Sequence, residues 1–311
     1  MTEASQPLIH VACGVLVDAA GRVLLAQRPG GKIAAGWWEF PGGKIEAGER
    51  ALDALTRELA EELGVVVRAA EPLIRFCHHY SNRSVVLDTW RVTAFDGEPR
   101  GCEGQALRWL AVPDFHQVSP LLPTVGPIER ALQTPPHYVF TPPAIALEQL
   151  LSGLPQLPPG AWLRLRLPAL DDAQYENAAR AVLLQARPLG IPIFLDRAPE
   201  QVGALGADGW HCTSAVLMQL KRQSSAALTA ASVHNAEQLA QAEALGFHAA
   251  VLGPVLPTAT HPDAAVLGWA GFAALRAQPV DQGPVIAIGH ETDVLAVGLG
   301  RDLHFQYAAP T

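Results

Sequence analysis

The sequence has few of the features that mark disulfide-rich, zinc-binding or membrane proteins. Its four cysteines are widely spaced in 311 residues and form no Cys-x-x-Cys pair, so neither a disulfide framework nor a zinc knuckle is indicated. No apolar run is long enough to cross a bilayer, and the polar first residues, which include Glu3, do not resemble a secretory signal. We therefore expect a cytoplasmic protein with no membrane partner.

Positive charge is also scarce. Charged residues make up 17% of the chain and the formal net charge is -8, so no general field exists to attract a nucleic-acid backbone. A polymeric nucleic-acid partner is not expected. The 49% of apolar residues is typical of a globular enzyme and argues against disorder. Because 311 residues exceed the usual size of one domain, we predict two.

The most informative stretch runs from Gly43 to Val65. Its second half is rich in Ala and Leu and ends on Gly64, which predicts a helix with a glycine C-cap. On this helix Glu58, Glu61 and Glu62 are spaced i, i+3 and i+4, so they share one face. Like charges packed together cost free energy unless cations are present, and clustered carboxylate oxygens are what Mg²⁺ or Mn²⁺ prefer. The stretch therefore predicts a metal site on a helix.

Strands are predicted on both sides of this helix. Leu8–Val17 and Arg22–Gln27 flank a turn and are typical of a hairpin, and the loop over 36–43 combines glycines with proline, so its backbone can approach a ligand closely. The remaining predicted elements complete a mixed sheet and close the domain: strands Val65–Val67, Leu73–Phe76, Val85–Thr93 and Leu107–Ala111, and a helix over Pro127–Leu132.

A stiff break follows at Gln133-Thr134-Pro135-Pro136 and predicts the domain boundary, with a first domain over 1–133 and a second over 137–311. Beyond it short apolar strands alternate with helices, a pattern typical of a parallel sheet or a barrel. The predicted strands are Tyr138–Thr141, Trp162–Leu167, Ile191–Leu195, Leu228–Val233, Ala249–Gly253 and Val285–Ile288, and the clearest helices are Asp172–Gln185 and Asn235–Leu245.

The spacing of fixed residues around the acidic helix carries a family resemblance. Three glutamates on a helix are, taken alone, more often a solvated face. Here the order is Gly43, five residues, Glu49, seven residues, Arg57-Glu58-Leu59, one residue, Glu61-Glu62, one residue, Gly64-Val65. This spacing resembles the Nudix hydrolases at every fixed position, and Glu39-Phe40-Pro41-Gly42-Gly43-Lys44-Ile45-Glu46 resembles their MutT branch, the 8-oxo-dGTP diphosphatases. The resemblance implies an α/β fold, a mixed-sheet α/β/α sandwich.

The same resemblance implies roles for individual residues. It makes Glu58, Glu61, Glu62 and Glu103 the catalytic, metal-binding acids, with the Gly43 carbonyl as a further ligand. It implies that the nucleotide is bound by Arg28, Phe40, Gly42 and Lys44. It also makes Glu49 and Arg57 a supporting pair that orients the loop and the helix. The spacing does not decide which glutamate is the general base, although Glu58 is favoured.

The implied reaction is attack by water on a nucleoside triphosphate, giving the monophosphate and pyrophosphate, with Mg²⁺ or Mn²⁺ clamping the phosphates. The leading substrate is 8-oxo-dGTP, and the implied role is sanitation of the nucleotide pool. One departure concerns the base. MutT-like enzymes read the oxidised purine with an asparagine, and Leu122–Pro127 places Val125 there, whose side chain makes no hydrogen bond. The nucleotide specificity therefore stays open.

Three segments of the second domain, each at the end of a predicted strand, carry a second resemblance: Gly206–His211, Ser232–His234 and Gly253–Thr260. They resemble thiamine-phosphate synthase and its TenI-type relatives, over about Tyr138 to Gly289. The resemblance implies a TIM-barrel-like domain, here short beside complete barrels of roughly 200 residues or more.

Several ligand positions of that family are changed. Where one lysine would follow the second strand's arginine, Arg166 is followed by Leu167 and Pro168, and a second lysine becomes His261. The phosphate-holding glycine pair reads Gly289-His290, and these changes weaken any pyrophosphate site. Asp196 and His234 are retained and are the second-domain candidates. We therefore expect a Nudix hydrolase with an appended degenerate barrel. The alternatives are a thiamine-pathway enzyme whose barrel is still active, and a barrel that binds a phosphorylated metabolite.

Overall fold

A computed structural model describes residues 7–135, 137–222, 228–255, 266–276 and 285–287. It divides into two compact units, one ending at Gln133 and one beginning at Thr134, and each is described by itself. The predicted features at 258–261 and at Gly289-His290 lie outside the described residues.

The first unit contains two sheets and two helices. Strands β4, β1, β6 and β5 form a mixed sheet in that order, and β3, β2 and β7 form a small antiparallel sheet. The bounds are β1 Leu8–Leu16, β2 Val23–Gln27, β3 Trp38–Glu39, β4 Gly42–Lys44, α1 Ala51–Leu63, β5 Val66–Tyr80, β6 Arg83–Asp96, β7 Leu107–Leu110 and α2 Val125–Gln133.

Three sequence predictions for this unit were wrong in detail. The hairpin of β1 and β2 is not formed, because β1 pairs with β4 and β6 and meets β2 at one isolated bridge, Val17 with Val23. The segments around Val65 and Leu73 belong to one long strand, whose register shifts between Val67 and Ile74 interrupt the apolar pattern. The loop over 36–43 contains β3 and part of β4.

The alternation of β1 explains how α1 is held. Ala12 and Leu16 are buried in the same core cluster as Leu59 of α1, whereas Cys13 and Val15 belong to a second cluster that includes residues of α2. Between Ala12 and Leu16, a Cβ at Gly14 would lie 2.9 Å from a methyl carbon of Leu59. The sheet thus carries one helix on each face. Helix α1 lies so close to β1 that the strand has room only for glycine at position 14.

Helix α1 ends as the sequence predicts. Gly64 adopts the left-handed conformation, with φ 69°, and its N–H donates to the Ala60 carbonyl. The buried residues of the helix are Ala54, Leu55, Leu59 and Leu63. Their spacing of three to four residues leaves Glu58 and Glu62 on a different side from this apolar stripe.

The second unit contains a seven-stranded parallel sheet in which every strand pairs with the next along the chain. This order, with helices between the strands, is that of a TIM-barrel-like fold, as predicted. The strands are β8 Tyr138–Phe140, β9 Trp162–Leu165, β10 Ile193–Leu195, β11 Gly209–Cys212, β12 Leu228–Val233, β13 Ala249–Leu252 and β14 Val285–Ala287. The helices are α3 Leu147–Gly153, α4 Asp172–Ala186, α5 Pro199–Leu205, α6 Ser214–Leu217, α7 Ala236–Ala244 and α8 Gly268–Arg276.

Side chains alternate along these strands between two buried sets. Leu163 and Leu165 of β9 pack in the cluster that contains the helix residues, whereas Trp162 packs with Tyr138 and Phe194 in a separate cluster. Burial on both faces explains why the strands are continuous apolar runs. Within the described ranges, no helix is both long enough and apolar enough to span a membrane.

Replacing Leu59 by alanine tests how far the sheet depends on α1. Leu59 is fully buried, so the cavity should lower the free energy of unfolding by about 3 kcal/mol. Leu52→Ala, on the same helix and 36% exposed, should lower it by less than about 1 kcal/mol. The measurement is denaturant unfolding of both variants, and equal losses would contradict this packing.

Candidate active site

A pocket of about 810 Å³ lies beside α1. Its walls include the segment between β2 and β3, strand β4, the acidic side of α1, and the turn between β5 and β6. Of the residues predicted from the sequence, Arg28, Gly42, Gly43, Lys44, Glu58 and Glu62 line it. The predicted loop and helix thus contribute to one concave surface.

Glu58 is held by the arginine next to it. Arg57 Nη1 donates to Glu58 Oε1 at 2.8 Å, while Arg57 Nε and Nη2 donate to the two oxygens of Glu49 at 3.0 and 2.9 Å. Arg57 Nη2 also donates to the Lys44 carbonyl at 3.1 Å. One guanidinium therefore joins helix α1 to the loop that precedes it, and these hydrogen bonds raise the pKa of Arg57.

Gly43 lies directly against the Glu58 carboxylate. A Cβ at this position would be 2.2 Å from Glu58 Cδ, closer than any real contact. Gly42, with φ 143°, is equally constrained, because a Cβ there would be 2.2 Å from the Ala12 carbonyl oxygen. The paired glycines are required because the backbone passes between β1 and the acidic side of α1.

Glu62, like Glu58, is largely removed from water, with a side chain 16% exposed. Its Oε2 accepts a hydrogen bond from the Gly42 N–H at 3.1 Å, and the Lys32 ammonium lies 3.9 Å from its Oε1. Burial raises the pKa of Glu62 to about 7, and these two neighbours only partly oppose that shift. A divalent cation is the natural partner for a carboxylate in such a place.

Glu103 and Glu61 lie at the margin. Lys32 Nζ donates to Glu103 Oε2 at 2.5 Å, and this hydrogen bond raises the pKa of Lys32. The Glu103 loop is tied to α1 by Gln105, whose Nε2 donates to the Glu62 carbonyl at 2.9 Å. The Glu61 side chain is 62% exposed and lies 3.7 Å from Arg57 Nη1. Glu61 is thus placed on the same helix but not among the pocket-lining residues.

Glu39, one of the acids outside α1 that could supply a fourth carboxylate, is a pocket residue. Arg28 Nη1 donates to both of its oxygens, at 2.6 and 2.7 Å, and Arg28 Nε donates to the Ile33 carbonyl at 2.7 Å. Burial raises the pKa of Glu39 despite this pair. Alternation along the strand could have predicted that Glu39 faces the pocket, because Trp38 and Phe40 are buried in the core and Glu39 lies between them.

Two residues considered for the nucleotide lie in the core instead. Phe40 is 4% exposed and packs edge-on against Phe115, at 6.0 Å between ring centroids. Val125 is 1% exposed in the same cluster, and its neighbour Thr124 lines the pocket. Thr124 hydrogen bonds with Tyr80, whose ring also lies under the Arg83 guanidinium at 4.8 Å. Sequence spacing could not distinguish Thr124 from Val125, since Thr124 immediately precedes α2 and Val125 begins it.

The side chains around the pocket fit a divalent metal. Glu58, Glu62 and Glu39 supply oxygen donors on one concave wall, and the missing side chain of Gly43 lets the Glu58 carboxylate lie against the backbone there. In the described part of the chain, no three His, Cys, Asp or Glu side chains already converge on one point. Glu58 is drawn to Arg57 and Glu62 to Gly42, so a metal would have to compete with these contacts.

The second-domain candidates lie at the carboxyl ends of strands, where barrel enzymes place their sites. Asp196 follows β10, and its Oδ2 lies 3.4 Å from Arg164 Nη2. Arg164 is 7% exposed and its Nε has no hydrogen-bond partner. His234 follows β12, and its Nδ1 lies 2.5 Å from the Gly253 carbonyl oxygen. A chain of buried polar side chains joins Tyr138 to His211 at 2.9 Å, and His211 to Ser232 at 2.8 Å.

Comparison with known proteins gives both units a family. A Nudix domain model matches residues 12–125, and a thiamine monophosphate synthase model matches residues 137–293. The CTP pyrophosphohydrolase of Escherichia coli K12 is 39% identical over 124 residues, which cover 40% of this chain and 90% of that protein. The chain therefore belongs to the Nudix hydrolase family and carries a thiamine monophosphate synthase domain after the Nudix domain.

Further relatives belong to the branch that the sequence predicted. The 8-oxo-dGTP diphosphatase of Haemophilus influenzae is 41% identical over 103 residues, covering 33% of this chain and 76% of that protein. A crystal structure of a MutT Nudix hydrolase from Burkholderia pseudomallei is 30% identical and covers 41% of this chain and 98% of that one, with a TM-score of 0.37. The family model and the two curated relatives make the first unit a pyrophosphohydrolase, and Nudix hydrolases generally depend on a divalent metal.

The raised pKa of Glu62 predicts how the stability of the metal-free protein changes with pH. The native state keeps the Glu62 proton up to about pH 7, whereas in the unfolded chain a glutamate has its ordinary pKa of 4.5 and loses the proton earlier. Rising pH therefore favours unfolding between these values, by up to about 3 kcal/mol from this group. Glu62→Gln keeps the size of the side chain and its ability to form hydrogen bonds, and it removes the ionisable group.

The measurement is denaturant unfolding of both proteins from pH 5 to 8 in the presence of a chelator. The variant should gain stability relative to the native protein as the pH rises. A constant difference across this range would show that Glu62 titrates normally.

Proposed function

We propose that the first unit is a Mg²⁺- or Mn²⁺-dependent nucleoside triphosphate pyrophosphohydrolase with 8-oxo-dGTP as its leading substrate. The observation that carries this proposal is the pair of half-buried carboxylates, Glu58 and Glu62, facing one pocket across from Gly43. The named activities of the relatives support the choice of a nucleotide. The biological role that follows is removal of oxidised nucleotides from the cytoplasmic pool before they enter DNA.

Each residue has a task in this proposal. Glu58 and Glu62, with Glu61, Glu103 and the Gly43 carbonyl, are the groups that hold the metal. When bound, a divalent cation neutralises phosphate oxygens and favours attack by water at phosphorus. Arg57 keeps Glu58 in place through its bonds to Glu49 and Lys44. Glu58 is our choice for the general base, since its carboxylate reaches the pocket.

The nucleotide would extend from the acids toward the β5–β6 turn. Lys44 and Arg28 supply positive charge on the pocket wall, and Tyr80 supplies an aromatic surface at the far side. We assign recognition of the base to Thr124 and not to Val125, because a hydroxyl both donates and accepts a hydrogen bond. A single hydroxyl reads fewer base atoms than an amide, so we expect weaker discrimination of 8-oxo-dGTP from dGTP than an asparagine gives.

The test is pyrophosphate release over a panel of nucleotides that includes 8-oxo-dGTP, dGTP and CTP, together with thiamine precursors. Glu62→Gln should lower kcat/KM by at least about 100-fold, because it removes one anionic group from the proposed metal site. Turnover equal to that of the native protein would show that Glu62 is not part of the metal site. Equal turnover of 8-oxo-dGTP and dGTP would contradict the substrate and leave the hydrolase class intact.

Gly43→Ala is a sharper test of geometry, because its Cβ would displace the Glu58 carboxylate. We expect kcat/KM to fall by about 10- to 100-fold while the fold is kept, since the displaced group is the end of a flexible side chain. Gly30→Ala is the matched control, because a Cβ there meets nothing within 4 Å. Comparable loss in both variants, or none in Gly43→Ala, would contradict the placement of Glu58.

For the second unit we propose a binding module for a phosphorylated metabolite. The observation that favours it is the buried guanidinium of Arg164 at the end of β9, whose Nε lacks a partner. Its close acid, Asp196, leaves part of that positive charge available to an anion. An active thiamine-pathway barrel is the alternative, and product formation from thiamine precursors in the same panel would favour it.

A further inference from the structure

Lys32 is a basic residue of the pocket to which the reaction gives no task. It lies in the segment between β2 and β3, which is closed at its base by two backbone hydrogen bonds. Arg28 N–H donates to the Trp37 carbonyl at 2.8 Å, and Gly36 N–H donates to the Arg28 carbonyl at 2.9 Å. This closed base brings Lys32 to the pocket wall.

The ammonium of Lys32 joins two of the proposed metal-binding acids. It is 2.5 Å from Glu103 Oε2 and 3.9 Å from Glu62 Oε1. These acids come from separate elements, the loop before β7 and helix α1. Gln105 ties those elements together, because its Oε1 accepts from the Glu103 N–H at 2.8 Å and its Nε2 donates to the Glu62 carbonyl. Lys32 therefore bridges a pair of acids whose backbones are already fixed.

We propose that Lys32 is a resident cation that occupies the Glu62–Glu103 pair in the metal-free protein and must leave when a divalent cation binds there. This inference rests on the proposed metal-dependent function. The ammonium and a metal need the same carboxylate oxygens, and two positive centres sharing them would repel each other strongly in a half-buried pocket. Lys32 thus acts as a latch between the β2–β3 segment and the acids.

A lysine is suited to this exchange. Its side chain is 44% exposed and Glu103 is 41% exposed, so the pair can separate into water at little cost. Lysine holds a compact charge on a flexible stem, whereas an arginine would form a more rigid, forked pair with a carboxylate. Arg57 forms such a forked pair nearby, because its Nε and Nη2 donate to the two oxygens of Glu49.

The first measurement is Mn²⁺ binding to the full-length protein without nucleotide, followed by electron paramagnetic resonance of free Mn²⁺. Lys32→Gln should bind Mn²⁺ about three- to fivefold more tightly, since it removes the competing cation. Arg22→Gln, which removes the same charge from the exposed pair with Asp18, should bind as the native protein does. Unchanged or weaker binding by Lys32→Gln overturns the latch.

A second measurement separates displacement from simple repulsion. The chain has only three lysines, Lys32, Lys44 and Lys221, so a protein labelled with ¹³C at the lysine ε-carbon gives three signals. The Lys32 signal is assigned by its loss in Lys32→Gln. Adding Mg²⁺ should move it toward the position of a free lysine and leave Lys221, which is exposed, unchanged. A Lys32 signal that stays in place at saturating Mg²⁺ overturns the latch.

Glu62→Gln distinguishes an error in the metal site from an error in the role of Lys32. If it binds Mn²⁺ as tightly as the native protein, the metal site itself is wrong and the latch falls with it. If Mn²⁺ binding is lost in Glu62→Gln but is unchanged in Lys32→Gln, only the latch is wrong and the proposed function stands.

Discussion

The guanidinium of Arg57 reaches Glu49, Glu58 and the Lys44 carbonyl at once, and the acidic pocket depends on that connection. Carboxylates gathered away from water repel each other, so each must be matched by a cation or lose its charge. Arg57 matches Glu58, Arg28 matches Glu39, and Lys32 reaches Glu62 only from 3.9 Å. Glu62 has the most distant cation of the three, and burial raises its pKa to about 7.

The sequence predicts the fold best where the signals are local. Helix α1 follows from its Ala and Leu content and from Gly64, and the order of strands and helices in the second unit follows from alternating apolar segments. Elements defined by distant partners were missed. Strands β3 and β4 are two and three residues long and exist through pairing with β2 and β1. Strand β11 begins at Gly209, which suggests a turn by propensity but packs against the Phe194 ring.

The same division applies to the site. Glu58, Glu62, Gly43 and Arg57 belong to one contiguous motif, so their spacing alone predicts their proximity. Glu39 and Lys32 join them through closure of the β2–β3 segment, whose register is set by pairing of Gln27 with Trp38. Motif resemblance also placed Phe40 with the substrate, whereas the period of two along a strand puts it in the core with Trp38. Residues that reach the pocket from other segments require the tertiary structure.

The parallel pairing of β1 with β6 has a consequence for synthesis of the chain. Ala12 lies opposite Asp88, so the first strand meets this neighbour only after more than seventy further residues have been made. Until then the ribosome releases an apolar strand and an acidic helix without the sheet that supports them. The acids of α1 that we propose as metal ligands are thus translated early and positioned late. A nascent chain that stops before β6 contains the whole motif but lacks the strand that pairs with β1 along its length.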